Sequence, residues 1–467
     1  MTVDSFILFI NKILFYLTHA GIFLATLSIL VLFHEWGHFI VARFFGVRVL
    51  EFAFGMGKLL FSKKYGDTSY QFRMVPMGGY VKLAGTEEDL DKPDYRPQKD
   101  EFYGISPSRR IAVVFAGPAM NLILAMVAFW IGIFFTGQVL TKPVIGYLPP
   151  NSSASKAGIL SGDLILNVNG IPIESLEQAA EIIAKSPDQK VRLEVSGASG
   201  NKNFELIPQA KEEQDLLGDL IRFGDIGLHG YHPAVIGAVS QDSPAEKAGL
   251  LPQDRIVEVN GETISFWEEL VDQIYNNPGK RLSISWERDG KRHSGFVVPE
   301  EKEVNQSPEK KKKIGLIGIS FQKDETMVFH KKVSPISALA LTLSQLLDYT
   351  VLTYRALRKM ILGAVSRDSV MGPVRLAGIV SKVASTGFFP WLMLLGFISL
   401  QLAIFNFLPF PALDGGQAFF FMLEFISRKQ LDVRFIKMVE RINQVGFTLL
   451  IGLFVLIMIN DVSLLGK

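Results

Sequence analysis

The residues with the clearest chemistry are His34-Glu35-Trp36-Gly37-His38, an H-E-x-x-H pattern. Histidines four apart share one face of a helix and point two imidazole nitrogens at one metal ion, and zinc is the usual occupant. The glutamate between them is then placed to handle the proton of an attacking water. Two histidines leave zinc short of the three protein ligands common in hydrolytic sites. Asp414, in Asn406-Phe-Leu-Pro409-Phe-Pro411-Ala-Leu-Asp414-Gly415-Gly416, ends a long apolar run. A carboxylate at membrane depth costs about 2.5–3.5 kcal/mol on insertion scales and so calls for a partner. Zinc held by His34, His38 and Asp414 supplies one. Pro409 and Pro411 remove backbone donors and unwind the chain just before that carboxylate.

These residues need elements that cross or enter a membrane. Gly21 to Phe33 carries no charged side chain, and Phe39-Ile40-Val41-Ala42 resumes the apolar run after the motif. Apolar runs predict four transmembrane helices, at about 18–45, 111–135, 388–412 and 443–460, each judged against a hydrocarbon core of about 30 Å. The N-terminus lacks an Arg/Lys-rich region and a small-residue cleavage site, so no removable signal peptide is expected. Alternation around Met77-Gly78-Gly79 predicts a β-hairpin over 68–85. Its edge strand suits capture of an unwound substrate by strand addition. The acidic, proline-containing stretch 87–100 reads as a loop. So does the Lys/Glu-rich stretch 301–313. Residues 333–387 carry Asp348, Arg355, Arg358 and Lys359 among apolar positions, an amphipathic pattern for lying on a membrane.

Composition narrows the function classes. The 467 residues include 36 phenylalanines and 48 % apolar side chains, yet 20 % are charged, so a membrane protein with large soluble portions is expected. A net charge of +2 gives no footing for a nucleic acid, and the absence of cysteine excludes disulfides and thiolate zinc sites. Residues 43–110 hold twelve Lys/Arg and 428–441 hold five. By the positive-inside rule both loops face the cytoplasm, placing the intervening soluble region outside and the active site towards the cytoplasmic side.

That soluble region contains a repeat. Ser152–Gly170 aligns without gaps on Ser243–Gly261, identical at eleven of nineteen positions at an offset of 91 residues. The Ala-Gly, Asp and Val-Asn-Gly positions of each copy resemble the PDZ domain. The resemblance implies two tandem PDZ-like α+β domains at 141–230 and 231–322. It places peptide-binding loops at Ile226-Gly227-Leu228 and Ile314-Gly315-Leu316. Such grooves either bind a peptide C-terminus or act only as a size gate.

With both motifs in hand, the chain resembles the site-2 protease family of intramembrane zinc metalloproteases, peptidase family M50. His34–His38 matches its first motif, and Asn406–Gly415 matches its Asn-x-x-Pro-x-Pro-x-Leu-Asp-Gly motif residue for residue. Four spans with a PDZ-like pair in the middle look like the bacterial type that regulates a sigma factor from the inner membrane. The resemblance implies Zn2+ on His34, His38 and Asp414, with Glu35 as the catalytic acid/base. It implies substrate contacts at Asn406, Asn121 and the Gly78-Gly79 strand, with helix packing as the rival role for both asparagines. Met371-Gly372-Pro373 resembles the family's Ser-Gly-Pro element. The implied partners are a lipid bilayer and a single-span membrane protein, either an anti-sigma factor already trimmed outside the membrane or a remnant signal peptide. A catalytically silent membrane scaffold is the alternative, and it predicts damage to Glu35 or the ligand set. All four residues are intact.

Overall fold

The computed structural model describes residues 3–86, 97–198, 200–215, 217–307, 310–363, 371–428 and 433–465. Two compact units emerge, one formed by residues 1–137 with 332–467 and the other by 138–331. Most of the acidic stretch read as a loop, residues 87–96, lies outside the described residues.

The first unit is helical. Helix α1 runs Val3–Phe44 and carries the H-E-x-x-H motif near its C-terminal end. Helix α2 (Pro107–Thr136) starts with proline, whose missing N–H costs nothing in the first turn, and stops at Gly137 with φ 78°. Leu17–Phe44 and Pro107–Thr136 are each apolar enough to cross a bilayer. Between them, strands β1 (Val49–Tyr65) and β2 (Thr68–Leu83) form an antiparallel pair. The hairpin is therefore larger than the expected 68–85. The turn falls at Gly66-Asp67, where Tyr65 pairs with Thr68, and Met77-Gly78-Gly79 lies inside a strand. Gly66 takes φ 61°, a value that suits a tight turn. Residues 51–54 of β1 pair both with 79–82 and with 69–72, so the ribbon folds back on itself.

The second unit begins with β3 (Gln138–Thr141) and ends with its antiparallel partner at Val328–Lys331. Between them lie two copies of one arrangement. The first has α3 (Ser153–Ala157), β4 (Leu164–Val168), β5 (Ile171–Pro172), α4 (Leu176–Ala184), β6 (Val191–Gly197), β7 (Gly200–Leu206), β8 (Gln209–Gln214) and β9 (Leu220–Asp225). The second has β10 (Ile236–Val239), α5 (Pro244–Lys247), β11 (Arg255–Val259), β12 (Glu262–Thr263), α6 (Trp267–Tyr275), β13 (Leu282–Arg288), β14 (Lys291–Val297), β15 (Glu300–Ser307), β16 (Lys310–Leu316) and β17 (Ile319–Phe321), before β18 at Val328–Lys331. The sheets are ordered β5-β4-β6-β7 and β12-β11-β13-β14, and each closes over its own apolar core.

Repeated residues do repeated jobs. Ser152 and Ser243 cap the short helices by accepting from Ser155 N and Glu246 N. The Asn169 and Asn260 side chains accept from Arg192 N and Ser283 N across the sheet. Asp163 and Asp254 each accept the backbone N–H three residues earlier, from Leu160 and Leu251. Within the stretch 301–313, expected as a loop, residues 301–307 and 310–313 belong to the β15–β16 pair instead. Glu303 pairs with Lys313 across it, and Lys313 Nζ lies 2.9 Å from Glu301 Oε2, contacts that favour pairing of a charged sequence as strands.

The first unit resumes with α7 (Pro335–Ile361), α8 (Pro373–Thr386), α9 (Phe388–Phe407), α10 (Asp414–Ser427) and α11 (Val433–Leu465). Among the described residues, five helices are long and apolar enough to cross a membrane, one more than the four expected. The extra one is α7, read from its charges as lying on the membrane. It buries Ala338, Thr342 and Leu346, spaced by four, while Leu339, Leu343, Leu347 and Val351 are exposed. Tyr349 packs on Phe129 of α2 and Phe397 of α9. The last helix also exceeds its expected length, its span reaching from Phe435 to Ser463.

Candidate metal centre

Helix α1 brings His34 and His38 to one face by their spacing of four. Asp414 meets them from the first residue of α10. His34 Nε2 is 3.1 Å from Asp414 Oδ2, His38 Nε2 is 3.6 Å from Asp414 Oδ1, and the two Nε2 atoms are 3.2 Å apart.

The outer nitrogens fix which lone pairs face inward. His38 Nδ1 lies 2.9 Å from the Val113 carbonyl, which only accepts, so Nδ1 carries the proton and donates it. His34 Nδ1 lies 3.3 Å from the side-chain amide of Asn121. The two amide atoms of an asparagine are assigned from their hydrogen bonds. Asn121 Oδ1 is otherwise buried without a partner. Turning the amide so that Oδ1 accepts from His34 Nδ1 gives both histidines the same tautomer. Two unprotonated Nε2 atoms then face a carboxylate whose Oδ2 is itself buried with no hydrogen bond. All three donor groups lie within 4.8 Å of one another. Three converging lone-pair donors repel unless a cation sits among them, and a His2Asp set suits zinc.

Glycine makes the space. A Cβ on Gly117 of α2 would fall 2.3 Å from His38 Nε2 and 2.8 Å from His34 Cε1, inside the cradle. A Cβ on Gly37 would strike the Ala116 carbonyl at 2.2 Å, so α1 and α2 cross backbone to backbone here. At the other wall, Gly415 and Gly416 let α10 start directly against the carbonyls of Leu408 and Phe410.

Glu35 lies between this cluster and strand β2. It accepts the backbone N–H of Val81 on β2, and an added Cβ on Gly79 would lie 3.6 Å from its Cγ. Ser28 of α1 donates to the Pro76 carbonyl of the same strand, holding β2 along the helix. A cavity of about 640 Å3 opens on Glu35, His38 and Asp414, with Tyr80, Val81, Gln417 and Asn443 among its lining. On its far wall Tyr80 donates to Glu51 at 2.5 Å and receives from Arg73 at 2.6 Å.

The remaining expected site residues fall as follows. Gly78 (φ 86°) and Gly79 sit in β2, Gly78 against Met56 and Gly79 beside Glu35. Asn121 stands behind His34, only 1 % exposed, rather than on the cavity wall, because α2 crosses α1 at that depth. Asn406, in the last turn of α9, is half-buried, and its amide has no hydrogen bond among the described residues. It is not part of the cavity lining. In the second unit, Ile226-Gly227-Leu228 forms the loop whose Ile226 carbonyl accepts from Ala154 N, with Gly227 at φ 75°. The same role in the second copy belongs to Ile317-Gly318-Ile319, since Ala245 N donates to Ile317 and Gly318 has φ 76°. Ile314-Gly315-Leu316 ends strand β16 instead. The alignment slipped because Ile-Gly occurs twice in succession. A groove of about 380 Å3 lies between Ile317–Ser320, Ala238–Ser240 and α6.

Sequence reading missed Gly37, Gly117 and the Val113 carbonyl. The first two were visible as small residues in the H-E-x-x-H and Phe115–Asn121 stretches, whereas a backbone acceptor has no sequence signal.

The Peptidase family M50 profile matches residues 22–453 of this chain. The chain belongs to peptidase family M50. It is a site-2-type zinc metallopeptidase. Over 457 residues it is 32 % identical to the regulator of sigma-E protease RseP of Escherichia coli, covering 94 % of this chain and 97 % of that one. The regulator of sigma E protease of Salmonella typhi is 32 % identical over 456 residues, with the same coverages. A Neisseria meningitidis protein with a provisional zinc-metalloprotease name is 33 % identical over 457 residues, covering 95 % and 99 %. Among solved structures, the PDZ domain of an SdrC-like protein from Listeria monocytogenes is similar at 21 % identity and a TM-score of 0.17, covering 20 % of this chain and 90 % of that domain.

Proposed function

We propose that this chain cleaves single-span membrane proteins within the bilayer, with zinc on His34, His38 and Asp414. The observation that carries the reading is the convergence of two imidazole lone pairs and an unpaired carboxylate oxygen beside Glu35. When bound, zinc polarises the scissile carbonyl and lowers the pKa of water towards about 7. Glu35 takes the proton of that water and passes it to the leaving amine. A helical substrate hides its carbonyls in internal hydrogen bonds, so it must unwind first. Residues 79–82 pair with β1 along one edge, and the other edge runs beside Glu35. An unwound segment added there recovers its lost hydrogen bonds. The free amide of Asn406 is a second candidate hold on substrate backbone.

The names of the similar proteins support a place in sigma-factor regulation, with a pre-trimmed anti-sigma factor as first candidate substrate and remnant signal peptides as second. The five apolar helices support an inner-membrane location, and loop charge supports repeat domains outside with the active site towards the cytoplasm. In the repeat domains, the groove beside Ile317-Gly318-Ile319 fits an extended peptide end. The deciding experiment follows a tagged single-span substrate in membranes carrying wild-type protein or Glu35→Gln. Cleavage is expected to drop by at least about a hundredfold. Equal cleavage by both would sink the proposal.

A further inference from the structure

Asp414 contributes the third donor, and the turn before it decides where that carboxylate points. The turn runs Phe410–Leu413, with Leu413 N donating to the Phe410 carbonyl at 3.1 Å. Within it Ala412 has φ 75°, in the left-handed region that a residue with a Cβ seldom adopts. Something outside the turn must hold it there.

Helix α11 supplies that hold. Asn443 Oδ1 accepts the Ala412 N–H at 3.3 Å. Three residues on, a Cβ on Gly446 would fall 2.5 Å from Pro411 Cβ and 2.7 Å from the Pro411 carbonyl oxygen. Residues three apart share a helix face, so both contacts come from one surface of α11. Asn443 also lines the cavity that holds Glu35, His38 and Asp414.

We propose that Asn443, seated by the close approach at Gly446, is a positioning residue that keeps Ala412 left-handed and thereby aims Asp414 at His34 and His38. Released, Ala412 relaxes to negative φ, and the rotation is passed to the carboxylate two residues later. Ligand geometry of this kind must be held within about 0.5 Å. The last helix thus controls metal affinity without offering a ligand. The proposal rests on the zinc reading of the three-residue set.

The test measures zinc affinity of the detergent-solubilised full chain by competition with a chelator, alongside helix content. Asn443→Leu is expected to weaken zinc binding by about 10–100-fold, the range for lost outer-shell support. Glycine accepts positive φ without a Cβ penalty, so adding Ala412→Gly to Asn443→Leu is expected to recover about tenfold of that loss. Asn443→Ser, a smaller change, is measured in parallel in case the leucine variant does not fold. Wild-type affinity in the folded Leu or Ser variant, or no recovery with Ala412→Gly, overturns the proposal. Asp414→Ala separates the two levels. If it loses zinc while the Asn443 variants keep it, the positioning role alone fails. If it keeps zinc at full affinity, the metal reading fails too.

Discussion

At the residue scale, the site depends as much on what is missing as on what is present. Gly117 leaves room that any side chain would fill, since a Cβ there reaches 2.3 Å from His38 Nε2. Gly117→Ala is expected to abolish stoichiometric zinc while leaving helix content unchanged, as read by metal analysis and circular dichroism. Asn121 acts on the other side of His34, where its amide, turned so that Oδ1 accepts, holds the Nδ1 proton. Asn121→Leu is expected to lower zinc affinity by about 10–100-fold, measured by chelator competition. A substrate-binding role would instead raise KM at unchanged affinity for zinc. The reactive residues were legible in the sequence because their chemistry requires particular types at fixed spacing. Asn121 was legible as a residue but not in its contact with His34, since no sequence feature tells whether an amide faces a cavity or a neighbouring imidazole.

At the element scale, α10 presents Asp414 at its start and is pinned near its end. Arg110 of α2 meets Glu424 through two contacts of 2.9 Å, with both side chains at most 5 % exposed. The guanidinium also lies over the Phe421 ring, 5.0 Å from its centroid. Removing one partner strands a buried charge at a cost of about 3–5 kcal/mol, whereas replacing both by apolar side chains is close to neutral. Arg110→Met is therefore expected to lower the unfolding temperature in detergent sharply, and Arg110→Met with Glu424→Met to restore most of it. Strand periodicity announced β2 but not its partner. A two-residue turn at Gly66-Asp67 is a short signal, whereas Met77-Gly78-Gly79 is a louder one that lies inside a strand and brings Gly79 close to Glu35 instead. The packing of α7 on α2 and α9 through Tyr349 was not announced either, because four charges in a helix carry no information about its neighbours.

At the scale of the whole molecule, the 91-residue period governs the second unit. Strands β4 and β11, helices α4 and α6, and strands β6 and β13 all begin 91 residues apart. That arrangement was readable because a duplicated fold keeps its cap, turn and core residues. The differences between the copies were not. Arg288 grips Asp254 through two contacts of 2.7 Å, where the first copy has Gly197 beside Asp163. Where the copies join, His232 Nδ1 is 2.6 Å from Glu268 Oε1, and this hydrogen bond raises the imidazole pKa above its usual 6.5. A raised folded pKa means the folded form binds the proton more tightly. The stabilisation is full below about pH 6.5 and disappears as pH rises through the higher folded value. Wild type is expected to melt higher than His232→Gln at about pH 6 and level with it at about pH 9, by thermal unfolding of the full chain.

The strand beside Glu35 has a consequence for what such an enzyme is able to discriminate. Under the proposed strand addition, residues 79–82 meet a guest chain with main-chain groups, apart from the Val81 N–H that Glu35 accepts, and Gly79 presents no side chain. A surface of that kind reads little of the guest's sequence. It reads whether the guest can leave its own helix, which depends on how many β-branched, glycine or proline residues loosen it. On that proposal selection falls on the unwinding free energy of the client segment, and two clients with no residues in common are expected to be cut alike if they come apart equally easily.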